Sequence, residues 1–315
     1  MLFRGRTFES LAPNFCPAAG PMRYLDPKND LTFKKVFGQH PHLLRSFLNA
    51  LLPLEEGQVI ESLEYLPAEL VPAVPLFKNS IVDVRCRDNT GRQFIVEMQM
   101  LWTDSFKSRV LFNASKAYVG QLGRGRQYEG LQPVYALSLV DQVFEPNSPA
   151  YYHHYRFVHT TEPERRLEGL ELIFVELPKF RADTLLGKRM QVLWLRFLTE
   201  IEDQTEQVPA ELLAEPALDE AVEYLRESAF SRDELAGYDR YWDAISSERT
   251  LLAAALRDGR AEGKAEGKAE GKAEGKAEGK RETALEPARR MKERGFDAAT
   301  IREITGLDEA DVAAL

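Results

Sequence analysis

Residues 81–100 constrain this chain more than any other stretch. The segments Ile81-Val82-Asp83-Val84-Arg85-Cys86-Arg87 and Phe94-Ile95-Val96-Glu97-Met98-Gln99-Met100 alternate around Asp88-Asn89-Thr90-Gly91. Two such segments around a turn of this composition predict a β-hairpin. Side chains in a strand repeat every second residue, so Glu97 and Gln99 share a face. If Asp88 pairs with Arg92 across a three-residue loop, the paired positions sum to 180 and Asp83 falls opposite Glu97. Carboxylates directly opposed across a strand pair repel each other. A divalent cation converts that repulsion into a ligand set, and hard ions such as Mg²⁺ take carboxylate oxygens while keeping waters for chemistry.

The flanking sequence predicts an α/β core. Asp30 reads as the N-cap of a first helix with Phe33, Val36 and Phe37 at helical spacing. A second helix is expected from His42 to Leu51, stopped by Pro53. Short extended pieces around Val59–Leu66 and a proline-rich loop, Pro67 to Pro75, precede the hairpin. Asp104 to Leu122 reads as a helix with an apolar stripe at Phe106, Val110, Ala114, Ala117 and Leu122, and with Lys107, Arg109 and Lys116 projecting from elsewhere on it. Pro133 to Val140 is a continuous apolar run, as in a strand buried on both faces. Tyr152–Val158 and Leu170–Leu177 read as further strands.

Charge separates the segments. Residues 22–180 hold 18 Lys and Arg against 19 Asp and Glu, whereas residues 181–258 hold 9 against 17, so the net charge of −9 sits mainly in the middle. That excludes a protein that coats DNA by bulk charge, and leaves room for a local basic groove assisted by metal ions. No run approaches 18 apolar residues, so no transmembrane helix is expected. Cys16 and Cys86 give no disulfide framework, and a cytoplasmic protein fits best. His153, His154 and His159 lack the cysteine partners of a zinc set.

Residues 1–21 read as a disordered leader, with Met22 a candidate start. Residues 181–258 read as a helical extension, including Leu186–Ile201 and Leu218–Glu227. Residues 259–281 form a spacer in which Ala-Glu-Gly-Lys repeats five times, from Ala261 to Lys280. Its like charges recur at i,i+4 and each glycine costs about 1 kcal/mol against alanine, which predicts a marginal, exposed helix. Residues 282–315 outline a small helical module like a helix-turn-helix. There Ala288–Arg294 reads as a short helix, Asp297 and Asp308 as caps, and Ile301, Ile304, Leu307, Val312 and Leu315 as a small core.

An Asp followed 14 residues later by Glu-x-Gln resembles the PD-(D/E)XK nuclease core, with Gln in the usual Lys position. The surroundings narrow the resemblance to the Rpn family of recombination-promoting nucleases. The segments Asp26-Pro27-Lys28-Asn29-Asp30-Leu31-Thr32-Phe33-Lys34-Lys35, Ile95–Gln99, Arg109–Tyr118, Pro133-Val134-Tyr135 and Glu176-Leu177-Pro178-Lys179-Phe180 are similar to its blocks, and so is the charged spacer before an Ile-Thr-Gly-Leu turn. The resemblance implies a restriction-endonuclease-like α/β fold in residues 22–180 and a Mg²⁺-dependent DNA endonuclease associated with mobile elements. It implies Asp83 and Glu97 as metal ligands, the Met98 backbone carbonyl as a third, and Gln99 at the catalytic lysine position. Asp30 is an outer-shell candidate or an N-cap only. Lys107, Arg109 and Lys116 are candidate DNA contacts or a solvated helix face.

Gln cannot carry a positive charge or take up a proton. The exchange therefore leaves two functions open: an active endonuclease, or a catalytically weak or inactive nuclease fold that binds DNA or regulates. A strand-joining transposase is a third, but no acidic triad on separate strands is visible. Double-strand cleavage would need two centres, and so a homodimer.

Overall fold

Asn29, rather than Asp30, starts the first helix. In the computed structural model, which describes residues 23–55, 57–70, 80–122, 127–182, 189–203 and 205–315, helix α1 spans Asp30–Gln39 and the Asn29 side chain accepts from the Leu31 N–H at 2.9 Å. A cap needs extended backbone, which Asn29 has (φ −65°, ψ 140°). Asp30 is already helical, and its carboxylate pairs instead with Lys34 at 2.7 Å. The preceding residues set the angle of α1. Asp26 accepts from the Lys28 N–H at 2.8 Å and pairs with its ammonium at 3.1 Å, while the Thr32 hydroxyl donates to the Asp26 carbonyl. Burial lifts the Asp26 carboxyl to about 6 against the pull of Lys28.

Helix α2 (Pro41–Leu51) follows, then strands β1 (Leu63–Tyr65), β2 (Glu69–Leu70), β3 (Ser80–Ile81), β4 (Val84–Asp88) and β5 (Gln93–Gln99). Helix α3 (Phe106–Val119) leads to β6 (Val134–Val140), β7 (Tyr152–Val158) and β8 (Arg166–Glu176). Six strands form one mixed sheet in the order β1-β4-β5-β6-β8-β7, in which β5, β6 and β8 run parallel and the others antiparallel.

The hairpin has the register its turn dictates. Val84 faces Val96, Arg85 faces Ile95 and Cys86 faces Phe94, each pair summing to 180. The turn is locked by Asp88, whose Oδ1 accepts from the N–H groups of Thr90 and Arg92, both at 3.0 Å, and whose Oδ2 accepts from Arg92 Nε at 2.8 Å. Gly91 closes it at φ +89°, a conformation open to glycine at no steric cost.

Alternation sorts the strands between two apolar layers. Phe94, Val96, Leu137, Leu139, Ile173 and Val175 face a layer built by α1, α2 and the later helices, where Phe37 touches Phe47, Trp194 and Phe197. Ile95, Val134, Ala136, Val140 and Phe174 face α3 through Phe106, Val110, Ala114 and Ala117. A sheet covered on both sides is what the apolar run at 133–140 implies. By the same alternation Glu97 and Gln99 lie on the α3 side.

The expected helical extension forms as α4 (Arg189–Glu200), α5 (Ala210–Leu213), α6 (Pro216–Glu223) and α7 (Arg232–Glu293). The leader, Cys16, residues 71–75 of the proline-rich loop and the expected helix start at Leu186 lie outside the described residues. The chain divides into two units, Met1–Ile245 and Ser246–Leu315. In the second, the Ala-Glu-Gly-Lys repeat is helical and exposed throughout. The expected separate helix at Ala288–Arg294 is instead the end of α7, which runs through Pro287.

Helices α8 (Ala298–Thr305) and α9 (Glu309–Ala313) carry the predicted caps. Asp297 accepts from the Thr300 N–H and Asp308 from the Asp311 N–H, and Gly306 turns the chain at φ +69°. Ile301, Leu307 and Val312 pack with Ala288, but Ile304 is 64% exposed and does not join them. Arg281 grips Asp311 through Nε, at 2.8 and 2.7 Å from the two carboxylate oxygens. No helix among the described residues is long and apolar enough to cross a membrane.

Candidate active site

The two carboxylates of the hairpin end at the carboxyl ends of the parallel strands, where open α/β sheets place their ligands. Asp83 stands just before β4, opposite Glu97 if the register is carried on by one residue. It does not continue the ladder. Its side chain turns to the neighbouring strand, and Oδ2 accepts from the Met98 N–H at 2.7 Å. In a strand the N–H and C=O of one residue share an edge, so the Met98 carbonyl faces the Asp83 side as well.

Glu97 is buried, at 8% exposure, and its Oε1 accepts from Asn113 Nδ2 at 3.0 Å. Asn113 is buried on α3, and its Oδ1 has no hydrogen-bond partner. Gln99 uses both ends of its amide. Its Nε2 donates to the Leu101 carbonyl, and its Oε1 accepts from Arg109 Nη2 at 2.6 Å. Lys34 reaches in from α1, with Nζ 3.9 Å from Asp83 Oδ1 and 2.7 Å from Asp30 Oδ1. Asp30 is thus one lysine removed from Asp83.

Electrostatics oppose ionisation of both acids. Burial raises the Asp83 carboxyl above its ordinary value; the Met98 N–H and Lys34 pull it down, and Asp30 pushes it up. Burial also raises Glu97; Asn113 and Arg109 pull it down, and the Asp83 charge pushes it up. Two desolvated carboxylates, one of whose charges raises the proton affinity of the other, favour a cation between them.

The donor set fits Mg²⁺. Among the described residues no group of three or more His, Cys, Asp or Glu side chains could hold a metal ion. An ion here would therefore take two carboxylates and the Met98 carbonyl, and fill its remaining positions with water, the habit of Mg²⁺. The orphaned Asn113 Oδ1, on the residue that holds Glu97, is an acceptor that such a water would satisfy.

The three basic candidates on α3 part company. Arg109 joins Gln99, as above. Lys107 pairs with Glu145 at 2.6 Å and lies over the Phe144 ring. Lys116 lies 5.2 Å over the Phe112 ring. His153 and His154, expected to hold no zinc, bond Glu176 and Glu171.

Sequence reasoning missed Asn113 and Lys34. Asn113 sits beside Ala114 on a stripe that is otherwise apolar, which marks a polar group with a buried partner. Lys34 is one turn from Asp30, but nothing local says that α1 delivers it to Asp83.

A mixed sheet with an acidic hairpin at its parallel edge and helices on both faces defines the PD-(D/E)XK class of fold. The model of the PD-(D/E)XK nuclease family transposases matches residues 27–255, and the chain belongs to that family. Residues 281–315 match the C-terminal HTH domain of the Rpn/YhgA-like nuclease family. No curated protein and no solved structure matches the chain.

Proposed function

We propose that this chain is a Mg²⁺-dependent DNA endonuclease serving recombination of mobile DNA. What supports the reading is that Asp83 and Glu97 are both desolvated, that the charge of Asp83 acts on Glu97, and that each is held by one hydrogen bond, from Met98 and Asn113 respectively. The net reaction adds water to a phosphodiester. An oxygen–phosphorus bond forms, the bond from phosphorus to one sugar oxygen breaks, and the protons pass to the leaving oxygen and to solvent.

Asp83, Glu97 and the Met98 carbonyl would hold the ion. Bound there, Mg²⁺ supplies a water of lowered pKa and neutralises charge on the phosphate. The Met98 N–H and Asn113 keep the two carboxylates in place before substrate arrives, so that cost does not fall on the reaction. Lys34 offsets the charge of Asp83 while no ion is bound. Asp30 acts through Lys34.

On α3, Arg109 and Lys116 stand at i and i+7, one helix face, and serve phosphates along the strand. The helix-turn-helix module adds a second DNA contact, tethered by the repeat spacer. A homodimer would bring two centres to one duplex, in the cytoplasm. A weaker, DNA-binding role is favoured by Gln99 alone, whose amide is already engaged at both ends. Supercoiled plasmid separates the two. Nicking that needs Mg²⁺ and stops with a chelator is expected; tight DNA binding with intact plasmid would select the second reading.

A further inference from the structure

We infer that Arg109 supplies at the scissile phosphate the fixed positive charge that position 99 lacks, and that Gln99 is the side chain that holds it there. The inference rests on the endonuclease reading and adds a cation to it.

The geometry begins with two repeats that match. Glu97 and Gln99 are two residues apart on a strand, about 6.6 Å. Arg109 and Asn113 are four apart on a helix, about 6 Å. Helix α3 lies along β5 so that Asn113 meets Glu97 and Arg109 meets Gln99, at 3.0 and 2.6 Å. One helix face therefore engages both polar residues of Glu-x-Gln.

Gln99 is suited to hold a cation, not to replace one. Its amide nitrogen is spent on the Leu101 carbonyl, which turns the amide oxygen outward to the guanidinium. A lysine at this position could only donate, and would repel Arg109. Glutamine here and arginine on α3 explain each other.

Arg109 is fixed further by Phe106, whose ring lies 4.8 Å from the guanidinium carbon. Arg109 is exposed, although it acts on the charges of both Asp83 and Glu97. Of five N–H donors the bond to Gln99 takes one, and a phosphate oxygen can take others in the paired geometry that guanidinium favours. Lys34 is the competing cation. It is committed to Asp30 and Asp83, and of the two acids it acts on Asp83 alone. Arg109 donates hydrogen bonds and charge, and no proton transfer is asked of it.

The test is plasmid cleavage by wild type, Arg109→Ala, Arg109→Lys, Gln99→Ala and the Arg109→Ala/Gln99→Ala pair, with Mg²⁺ titrated into each and thermal melting as the check of folding. Arg109→Ala should lower kcat about 100- to 1000-fold, with Mg²⁺ affinity changed less than about threefold. Millimolar guanidinium chloride, far below denaturing levels, should restore at least about tenfold of the loss, and Arg109→Lys should retain part of the rate. Gln99→Ala should lose less than Arg109→Ala, and the pair should be no slower than Arg109→Ala, because Gln99 acts through Arg109. Wild-type rates in a folded Arg109→Ala protein, or losses that multiply in the pair, would overturn the inference while leaving the metal centre standing. Absence of cleavage by the wild type would overturn both.

Discussion

Asp83→Asn and Glu97→Gln each lower Mg²⁺-dependent cleavage at least about a thousandfold, equivalent to about 4 kcal/mol of transition-state stabilisation. Both substitutions keep size and shape, so Met98 and Asn113 retain a partner and the sheet is undisturbed. What is lost is one negative charge from the site proposed to hold a dication.

The same substitutions have an opposite effect on stability. Both carboxyls have raised pKa values in the fold. Such a group stabilises the fold below its unfolded pKa, and that stability is lost as pH rises through its folded value. Without metal, at neutral pH, both acids therefore weaken the protein. Asp83→Asn should melt at a higher temperature than wild type in a chelator. Added Mg²⁺ should reverse the order, because at 100 times its dissociation constant it stabilises the wild type by about 2.7 kcal/mol. Thermal melting of both proteins, with chelator and with Mg²⁺, reads all four values. A wild type that melts at the same temperature in both conditions would contradict the assignment.

Glu176→Ala should destabilise the fold by about 3–5 kcal/mol, because a buried charge pair loses one partner. Glu176 is fully buried at the end of β8. It accepts from the Phe144 N–H at 2.8 Å, from His153 Nε2 at 2.7 Å and from Lys179 Nζ at 2.7 Å. Lys179 also donates to the carbonyls of Glu145, Ser148 and Ala150. The network pins residues 144–150 across the carboxyl ends of the strands. Truncation leaves the Lys179 ammonium without its counter-charge.

Burial alone would raise the Glu176 carboxyl, but the bonds from Lys179, Phe144, His153 and Glu145 outweigh it and hold the group below its ordinary value. The sign is thus opposite to that of Asp83 and Glu97. Stability from Glu176 is present above the ordinary glutamate pKa and is lost as pH falls through its lowered value. Urea denaturation at pH 7 measures the loss, with Glu176→Gln intermediate because it keeps an acceptor. A midpoint within error of wild type for Glu176→Ala would rule out the pin.

The hairpin was legible because its register depends on local chemistry, an Asp88 that bonds its own turn and a glycine where φ is positive. The two-sided burial of 134–140 was legible from its unbroken apolar run. Contacts between elements were not. Asp30 and Asn29 are both good caps by residue type, and the Lys34 ammonium one turn on draws Asp30 into a pair. Ile304 reads as core by hydropathy, yet it lies off the face that the Ile301, Leu307 and Val312 cluster closes. Glu176 and Lys179 belong to a family-like block, and their place in the fold gives that block a structural reason. By residue type Gln99 leaves activity and inactivity both open; its bond to Arg109 comes only from the packing of α3 on β5.

The most direct measurement is a crystal of the wild-type protein soaked in Mn²⁺, an anomalous scatterer that takes the same oxygen ligands as Mg²⁺. One anomalous peak is expected about 2.0–2.4 Å from carboxylate oxygens of both Asp83 and Glu97, absent from crystals of Asp83→Asn. A peak elsewhere, or none between these two side chains, would contradict the proposed metal site.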